Sequence, residues 1–583
     1  VVAANFGGPF ELVDAGVRWP FAFERIVRWL DLDADGDGDT DLIALSRDGE
    51  VEALVNEGGD GMLQLKLSLH SYVGHPSSIG TRVQVRRKGR TVTRWTRREL
   101  PIEIGLGVDD AVDVVQTLWM NGVANNEIDV AATNAPLHIS IIEFVRTSSC
   151  PFLYAETLQG WDFVSDVLGT APLNVAMARN VAMPAFPEDA LVVGPADRYL
   201  APDASCRLRL TTELREAIYL ERMRTLLVEH DEGVELFSLA RTAQKDLRQF
   251  AEPREWFVAG RAPVRLRYAS SSDGVDRTEA LRRRDGVFGE PARPIAYPVV
   301  GHTDPLAVEF DFGAIDGTRP WLFVATGWFR YGSSSTNLAA SQRNDLAGAW
   351  PLLEAQDEMG TWHVVDDALG FPSGNVKAIV CDLRGKLPAS TQRLRLTTSF
   401  DVKWDEVVLY EPVAEGFTVL GDESPSSAEL QWHGFADLRI RKPHHPAEPN
   451  LQAMSHDPPW LTGLAGWCTA YGDVLPLLAE PTPSSAAQGD QNAAPRSVVF
   501  NAGDGVTAAF AFGDLPPLKQ GRRRTLLAYA RGWIKEADPN ALAGTRIEPF
   551  PGSEANAASE DDWQLKFNTR WTPGDLTQRE RIQ

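Results

Sequence analysis

Cysteine is scarce: four residues in 583, with no Cys-x-x-Cys pair, which excludes a disulfide scaffold and argues against a zinc knuckle or a thioredoxin-type site. Cys150, Cys206, Cys381 and Cys468 stand far apart, and Cys381 lies in the apolar run Ala378-Ile379-Val380-Cys381. Buried free thiols are therefore expected, with one or two disulfides as the alternative. Long apolar runs are missing too. The best candidate, 458–472, is uncharged but short and broken by Pro, Gly and Thr, so no membrane-spanning helix is expected. Basic charge is in deficit, 57 Lys and Arg against 80 Asp and Glu for a net −23, which argues against a general nucleic-acid binder. The chain contains no G-x-S-x-G, no H-E-x-x-H, no phosphate-binding P-loop and no dinucleotide fingerprint.

What is there suits an ordinary folded chain. Hydrophobic residues make up 43% and charged residues 23%, so wholesale disorder is excluded. At about 100–200 residues per domain the length suggests roughly three to five domains. The 17 Trp and 48 Gly favour β-structure with many turns. The sequence opens Val1-Val2-Ala3-Ala4-Asn5, with neither Met nor a signal peptide, and a processed or truncated form is expected.

The sharpest motif is Asp33-Ala34-Asp35-Gly36-Asp37-Gly38-Asp39-Thr40-Asp41, in which five aspartates alternate. A hard cation such as Ca²⁺ takes about six to eight oxygens, and alternate side chains of a tightly curled loop can converge on one ion. Without a cation, carboxylates this close repel one another. The assignment is Asp33, Asp35, Asp37 and Asp41 through side chains and Asp39 through its carbonyl. An EF-hand would place Glu at the twelfth position, but Ala44 stands there, inside Leu42-Ile43-Ala44-Leu45. The loop therefore joins strands, not helices.

With Ser46-Arg47-Asp48-Gly49-Glu50 and Leu54-Val55-Asn56-Glu57-Gly58-Gly59 behind it, this loop resembles an FG-GAP or VCBS repeat. The resemblance implies a calcium-binding segment of a β-propeller blade, although one such loop cannot close a propeller. The next stretch alternates as short strands, through Leu63, Leu65, Leu67 and Leu69, then Val83 and Val85, then Ile102, Ile104 and Leu106. Ser78-Ile79-Gly80-Thr81-Arg82-Val83, Gly105-Leu106-Gly107 and Trp119-Met120-Asn121-Gly122 give it a resemblance to an ASPIC/UnbV domain, and the order of the two segments is similar to that of the cartilage acidic protein family. Thr96-Arg97-Arg98-Glu99-Leu100-Pro101 departs from that pattern, where a Gly/Ser-rich segment is usual. The resemblance implies an exported, calcium-binding, non-enzymatic protein and supplies no catalytic residue. In the same module Arg82, Arg86, Arg87, Lys88, Arg90, Arg94, Arg97 and Arg98 form a basic run. Solvent-facing strand positions balancing an acidic protein are the preferred reading, because no aromatic ladder interleaves the charges; a surface for an anion or an acidic partner is the other.

The remaining chain repeats itself. Arg207-Leu208-Arg209-Leu210-Thr211-Thr212 recurs as Arg393-Leu394-Arg395-Leu396-Thr397-Thr398, each followed by a second strand-like run holding an acid, Tyr219-Leu220-Glu221 and Lys403-Trp404-Asp405. Alternation at the leucines means strands with one face buried. Paired strands of this kind resemble the galactose-binding-like jelly roll. A second repeat matches Val308-Glu309-Phe310-Asp311-Phe312-Gly313 to Ala508-Ala509-Phe510-Ala511-Phe512-Gly513, Gly327-Trp328-Phe329 to Gly532-Trp533-Ile534, and Asn337-Leu338-Ala339-Ala340 to Asn540-Ala541-Leu542-Ala543. The two sets of repeats are expected to superpose in two pairs of sandwiches. Cys150-Pro151-Phe152, Trp161-Asp162-Phe163 and Tyr471-Gly472-Asp473 give this half a resemblance to the C-terminal parts of large bacterial ASPIC/UnbV proteins.

Weaker constellations have structural readings. His444, His445 and His456 lie near Asp457 among prolines and read as loop residues, not a metal site. Asp366 and Asp367 beside Trp362 and His363 offer the carboxylates a glycosidase needs, but equally an exposed turn. Trp328, Trp404 and Trp533 fit sandwich cores better than sugar platforms.

The expected organisation is mainly β and multidomain: a calcium-binding blade at 1–60, an ASPIC/UnbV-like domain at 61–135, β-sandwiches (jelly-roll-like) at 136–250, 251–420 and 421–550, and a polar tail at 551–583. Linkers are expected at 252–254, 423–427, 442–450 and 481–495. The expected role is non-catalytic binding or assembly with Ca²⁺ as cofactor, in a secreted, periplasmic or cell-surface setting, with a protein partner or larger assembly. The alternatives are a carbohydrate-binding or carbohydrate-active protein with a glycan ligand, and an accessory subunit of a large surface or membrane complex.

Overall fold

The protein is described here from a computed structural model. The described residues run, with short breaks, over 25–142, 150–239, 256–289, 299–478, 496–551 and 566–574, with two short strands at 2–4 and 11–13. The expected linkers at 252–254 and 481–495 and most of the polar tail lie outside them. The fold is mainly β, built mostly from antiparallel sheets, with Leu137–Ile142 paired in parallel to Leu63–His70. All four cysteines are free and buried.

The chain divides into two compact units. The first comprises 1–71, 76–120 and 125–143, and the second holds the rest. In the first unit, Ile26–Leu32, Asp41–Ser46 and Val51–Leu54 form a three-stranded antiparallel sheet, so the acidic loop joins two strands. The core of this unit is sealed by Leu65, Leu67, Val83, Val85, Ile104 and Val115. It lies between the sheet of Leu63–His70, Ile102–Gly107 and Leu137–Ile142 and a four-stranded sheet whose edge is the hairpin Arg82–Arg87 and Arg90–Trp95.

The second unit holds two β-sandwiches of the same plan. In the first, Ser205–Thr211 lies between Phe152–Thr157 and Asp504–Ala511, while in the facing sheet Glu216–Asp231 lies between Arg522–Glu536 and Phe417–Glu423. In the second, Ser390–Phe400 lies between Leu352–Asp357 and His302–Asp311, and Val402–Val413 lies between Leu322–Phe329 and Phe257–Arg265. The repeated Arg-Leu-Arg-Leu strands thus occupy equivalent central places, with Leu208, Leu210, Leu394 and Leu396 in the two cores. The segments around Trp328 and Trp533 belong to these same two sandwiches, not to a further pair. Segments 136–250 and 421–550 share sheets: the first sandwich is closed by strands from both sides of the second. Followed along the chain, the strands keep one cyclic order cut at different points. The first sandwich is a circular permutation of the second, which is inserted between Glu216–Asp231 and Phe417–Glu423.

The match reaches single residues. Gly532 pairs with Leu220 and leaves Glu221 as a bulge; Gly327 pairs with Trp404 and leaves Asp405 as a bulge. Both glycines sit where strands approach closely, for a Cβ would fall 2.4 Å from the Tyr219 oxygen at Gly532 and 2.5 Å from the Lys403 oxygen at Gly327. On the outer faces the Arg209 guanidinium lies 4.1 Å over the Trp161 ring and that of Arg395 lies 4.0 Å over Trp362.

Polar contacts in the interior join the two sandwiches. Asp166 of the first accepts from Lys377 and from the Asn375 N–H (2.9 Å) of the second. The helix Ser334–Ser341 of the second points its N-terminus at acids of the first: the Ser334 hydroxyl donates to Glu536 (2.9 Å) and that of Ser335 to Asp538 (2.7 Å). A hairpin of Phe435–Ile440 and Ala447–Ser455, rooted in the first sandwich, reaches the second, where Trp328 Nε1 donates to the His444 carbonyl at 2.8 Å. Burial raises the Glu536 carboxyl to about 7, helped by the charge of Asp538 and opposed by the Ser334 hydrogen bonds and by Arg215. Burial likewise raises Asp189 to about 6 against the pull of Lys377.

Two outcomes follow from this packing. Gly532→Ala should lower stability by about 1–3 kcal/mol, read from denaturant midpoints, because the added carbon meets backbone. Glu536 holds its proton more tightly folded than unfolded, so its contribution to stability is present below its ordinary value of 4.5 and is lost as pH rises to about 7. Glu536→Gln should therefore flatten the fall in melting temperature between about pH 5 and about pH 8; an unchanged slope would remove Glu536 from the account.

Candidate metal centre

The acidic loop starts where Ile26–Leu32 ends and closes at the pair Leu32 and Asp41. Gly36 takes φ +85°, a left-handed turn with open space around it, which folds the loop back on itself. Carboxylate oxygens of Asp33, Asp35 and Asp37 come within 4.8 Å of one another. The loop also holds itself by short bonds: the Gly36 N–H donates to Asp33 Oδ1 (2.7 Å) and the Asp37 N–H to Asp35 Oδ1 (3.2 Å).

Asp41 has a different place from the one its spacing suggests. Its carboxylate is buried at the base of the loop, and its two oxygens accept the Ala34 and Asn56 N–H groups, each at 2.8 Å. It ties the loop to the start of its strand and to the residues after Val51–Leu54. Asp39 lies outside the described residues. Asp31, just before the loop, pairs with Arg98 at 2.6 Å.

Two residues that the sequence did not connect to the loop stand beside it. The Lys66 ammonium bonds Asp33, and Glu103, opposite Lys66 in the neighbouring strand, accepts the Asp33 N–H at 3.0 Å. Both occupy polar positions of alternating strands, where local pattern identifies an outward side chain but not its distant partner. The Asp37 N–H that Asp35 accepts pulls the Asp35 carboxyl down. Partial desolvation and the charges of Asp37, Asp41 and Asp33 outweigh it and raise the carboxyl above the ordinary value. The set is all oxygen and suits a hard cation; Lys66 is the counter-charge a cation would displace from Asp33.

The other constellations have structural partners. Asp366 faces Cys381 Sγ (3.1 Å) and Lys386 (3.9 Å), and His363 bonds Asp357 at 2.8 Å. His445 lies 3.7 Å from Glu448, and His456 accepts from Trp432 at 3.1 Å. Trp328 and Trp404 are core residues, and Trp533 packs against the core of the first sandwich.

No protein-family model matches the sequence, and no curated protein does. Solved structures give faint likenesses. One titled "Glycoside hydrolase" is 9% identical, with 64% of this chain and 65% of that one covered, just under two thirds of its length, at a TM-score of 0.15. A cycloalternan-forming enzyme from Listeria monocytogenes in complex with a pentasaccharide substrate is 10% identical over 64% of this chain and 30% of that one, at 0.13. The VP2 protein of infectious bursal disease virus is 11% identical over 66% and 76%, at 0.08. Scores this low carry no argument about fold or function.

Calcium titration tests the centre. Ca²⁺ should raise the melting temperature, and Asp35→Asn should abolish the rise. Lys66→Met, by removing the competitor for Asp33, should tighten Ca²⁺ by about two- to fivefold in calorimetry, the worth of a partly exposed ion pair. Equal shifts in the wild type and Asp35→Asn would place the ion elsewhere.

Proposed function

We propose that the protein is an exported, calcium-binding protein of the FG-GAP and ASPIC/UnbV type that works by contact, in binding or assembly at the cell surface or in the periplasm. The observation that carries this reading is the duplicated pair of sandwiches joined by buried polar contacts. Such a joint makes two large sheet surfaces one rigid body, which favours holding a partner in a fixed geometry. The acidic loop adds a place where calcium would stiffen the first unit by linkage.

A second reading, carbohydrate binding by the jelly-roll-like sandwiches, draws on one specific feature. Trp161 and Trp362 stand at equivalent outer-face positions, each beneath an arginine. Aromatic rings beside cations and carboxylates suit sugar recognition.

The purified chain, assayed against glycan, ester and phosphate substrates and used as bait in pull-downs at low and high salt, separates these readings. Salt-sensitive capture of one defined partner without turnover is the expected outcome. Turnover lost on a single Asp or His substitution would overturn it, and glycan binding lost on Trp362→Ala would favour the second reading.

A further inference from the structure

The basic run of the first unit has a geometry that its sequence does not reveal. Between Thr81 and Glu99 the chain carries eight cations and no anion, in a protein of net charge −23. These residues form the hairpin Arg82–Arg87 and Arg90–Trp95, whose second strand is the sheet edge. The register places Arg82 opposite Trp95, Gln84 opposite Thr93 and Arg86 opposite Thr91. Residues directly opposite share a face, about 4.5–5.5 Å apart at Cβ, so these six line one face of the hairpin. Val83 and Val85, on the other face, are buried in the core. Trp95 is 56% exposed, and Thr91 and Thr93 are exposed beside it.

Arg82, part-buried on this face, lacks partners for part of its guanidinium. Its Nε and Nη2 are buried without a hydrogen-bond partner among the described residues. These two nitrogens form the edge of the guanidinium that takes a carboxylate or sulfate in two parallel bonds. Leaving them unpaired is costly, and a part-buried arginine regains the cost by turning outward to an anion. Desolvation and the neighbouring charge of Arg86 lower the Arg82 value, as expected of a cation lacking its counter-ion.

We propose that this hairpin face binds an anionic oligosaccharide, with Arg82 and Arg86 holding a carboxylate or sulfate group, Trp95 stacking on a sugar ring, and Gln84 and Thr93 meeting hydroxyl groups. The row of indole, amide and hydroxyl groups beside the cations favours a sugar over an acidic peptide, which would use the backbone of the edge strand. The inference rests on the reading of the protein as one that works by binding, and it names the ligand class for that activity.

The test uses the full chain and five probes: a galacturonate tetrasaccharide, its neutral methyl ester, a heparin-derived tetrasaccharide, hexaglutamate and a neutral glucan oligosaccharide. Calorimetry and tryptophan fluorescence should show one or both acidic oligosaccharides binding at least about tenfold more tightly than the ester, the glucan and hexaglutamate, with affinity falling as salt rises. Arg82→Gln, Arg86→Gln and Trp95→Ala should each weaken binding by about tenfold or more, while Arg283→Gln, an exposed cation of the second unit, leaves it unchanged. Melting curves verify folding, and Trp95→Ala and Arg86→Gln carry the test if Arg82→Gln fails to fold. Binding of neither acidic oligosaccharide, equal binding of hexaglutamate, or indifference to Trp95→Ala overturns the proposal. Turnover of a bound oligosaccharide would instead overturn the non-catalytic reading and leave the site standing.

Discussion

One pairing governs the second unit: Glu216–Asp231 against Arg522–Glu536, an antiparallel register between strands some three hundred residues apart. It brings the two halves of the first sandwich into one sheet. Closing so long a loop costs entropy that grows only slowly with length, and the inserted sandwich, with a core of its own, shortens the effective span. Charge along the pair adds to it. Arg522 lies 2.6 Å from Asp231, Arg524 lies 2.9 Å from Glu229, and Arg523 reaches Glu235 of the inserted sandwich at 2.9 Å. The arginine triplet thus pairs within the chain, at the point where the second sandwich leaves the first.

The same strand carries the joint. Arg522–Glu536 ends at Glu536, which receives the helix of the second sandwich, and Asp538 follows just beyond. Seating a carboxylate in a dry joint raises its proton affinity, and serine donors with a helix N-terminus offset part of that cost. The first unit handles its acids differently. Asp41 is buried with both oxygens hydrogen-bonded, whereas Asp35 and Asp37 are exposed and the inward Asp33 carboxylate has Lys66 as its counter-charge. Asp41 fixes the base of the loop, and Asp33 and Asp35 hold its turn through the Gly36 and Asp37 N–H groups.

Much of this fold was legible in sequence because strand pairs leave local traces. The leucine alternation in 207–212 and 393–398 gave both strand and buried face, and the repeated Gly-Trp at 327–328 and 532–533 marked matching segments. The circular permutation was not legible, since a cut in a cyclic strand order leaves every local pattern intact. It made 421–550 look like a third sandwich when its strands complete the first. At the acidic loop, alternation brought out the carboxylates but could not separate Asp41, whose role depends on the Asn56 N–H, nor supply Lys66 and Glu103 from strands beyond. The hairpin arginines read as solvent-facing because Trp95 is thirteen residues from Arg82 in sequence and directly opposite it in the sheet.

The central claim is that distant strands close the first sandwich around the second, and residue-resolved native-state hydrogen exchange tests it most directly. Amides of Glu216–Asp231 and Arg522–Glu536 should open with one common free energy, as a single cooperative element, while those of Leu322–Phe329 and Val402–Val413 open with their own. Arg522–Glu536 exchanging independently of Glu216–Asp231 would contradict the account.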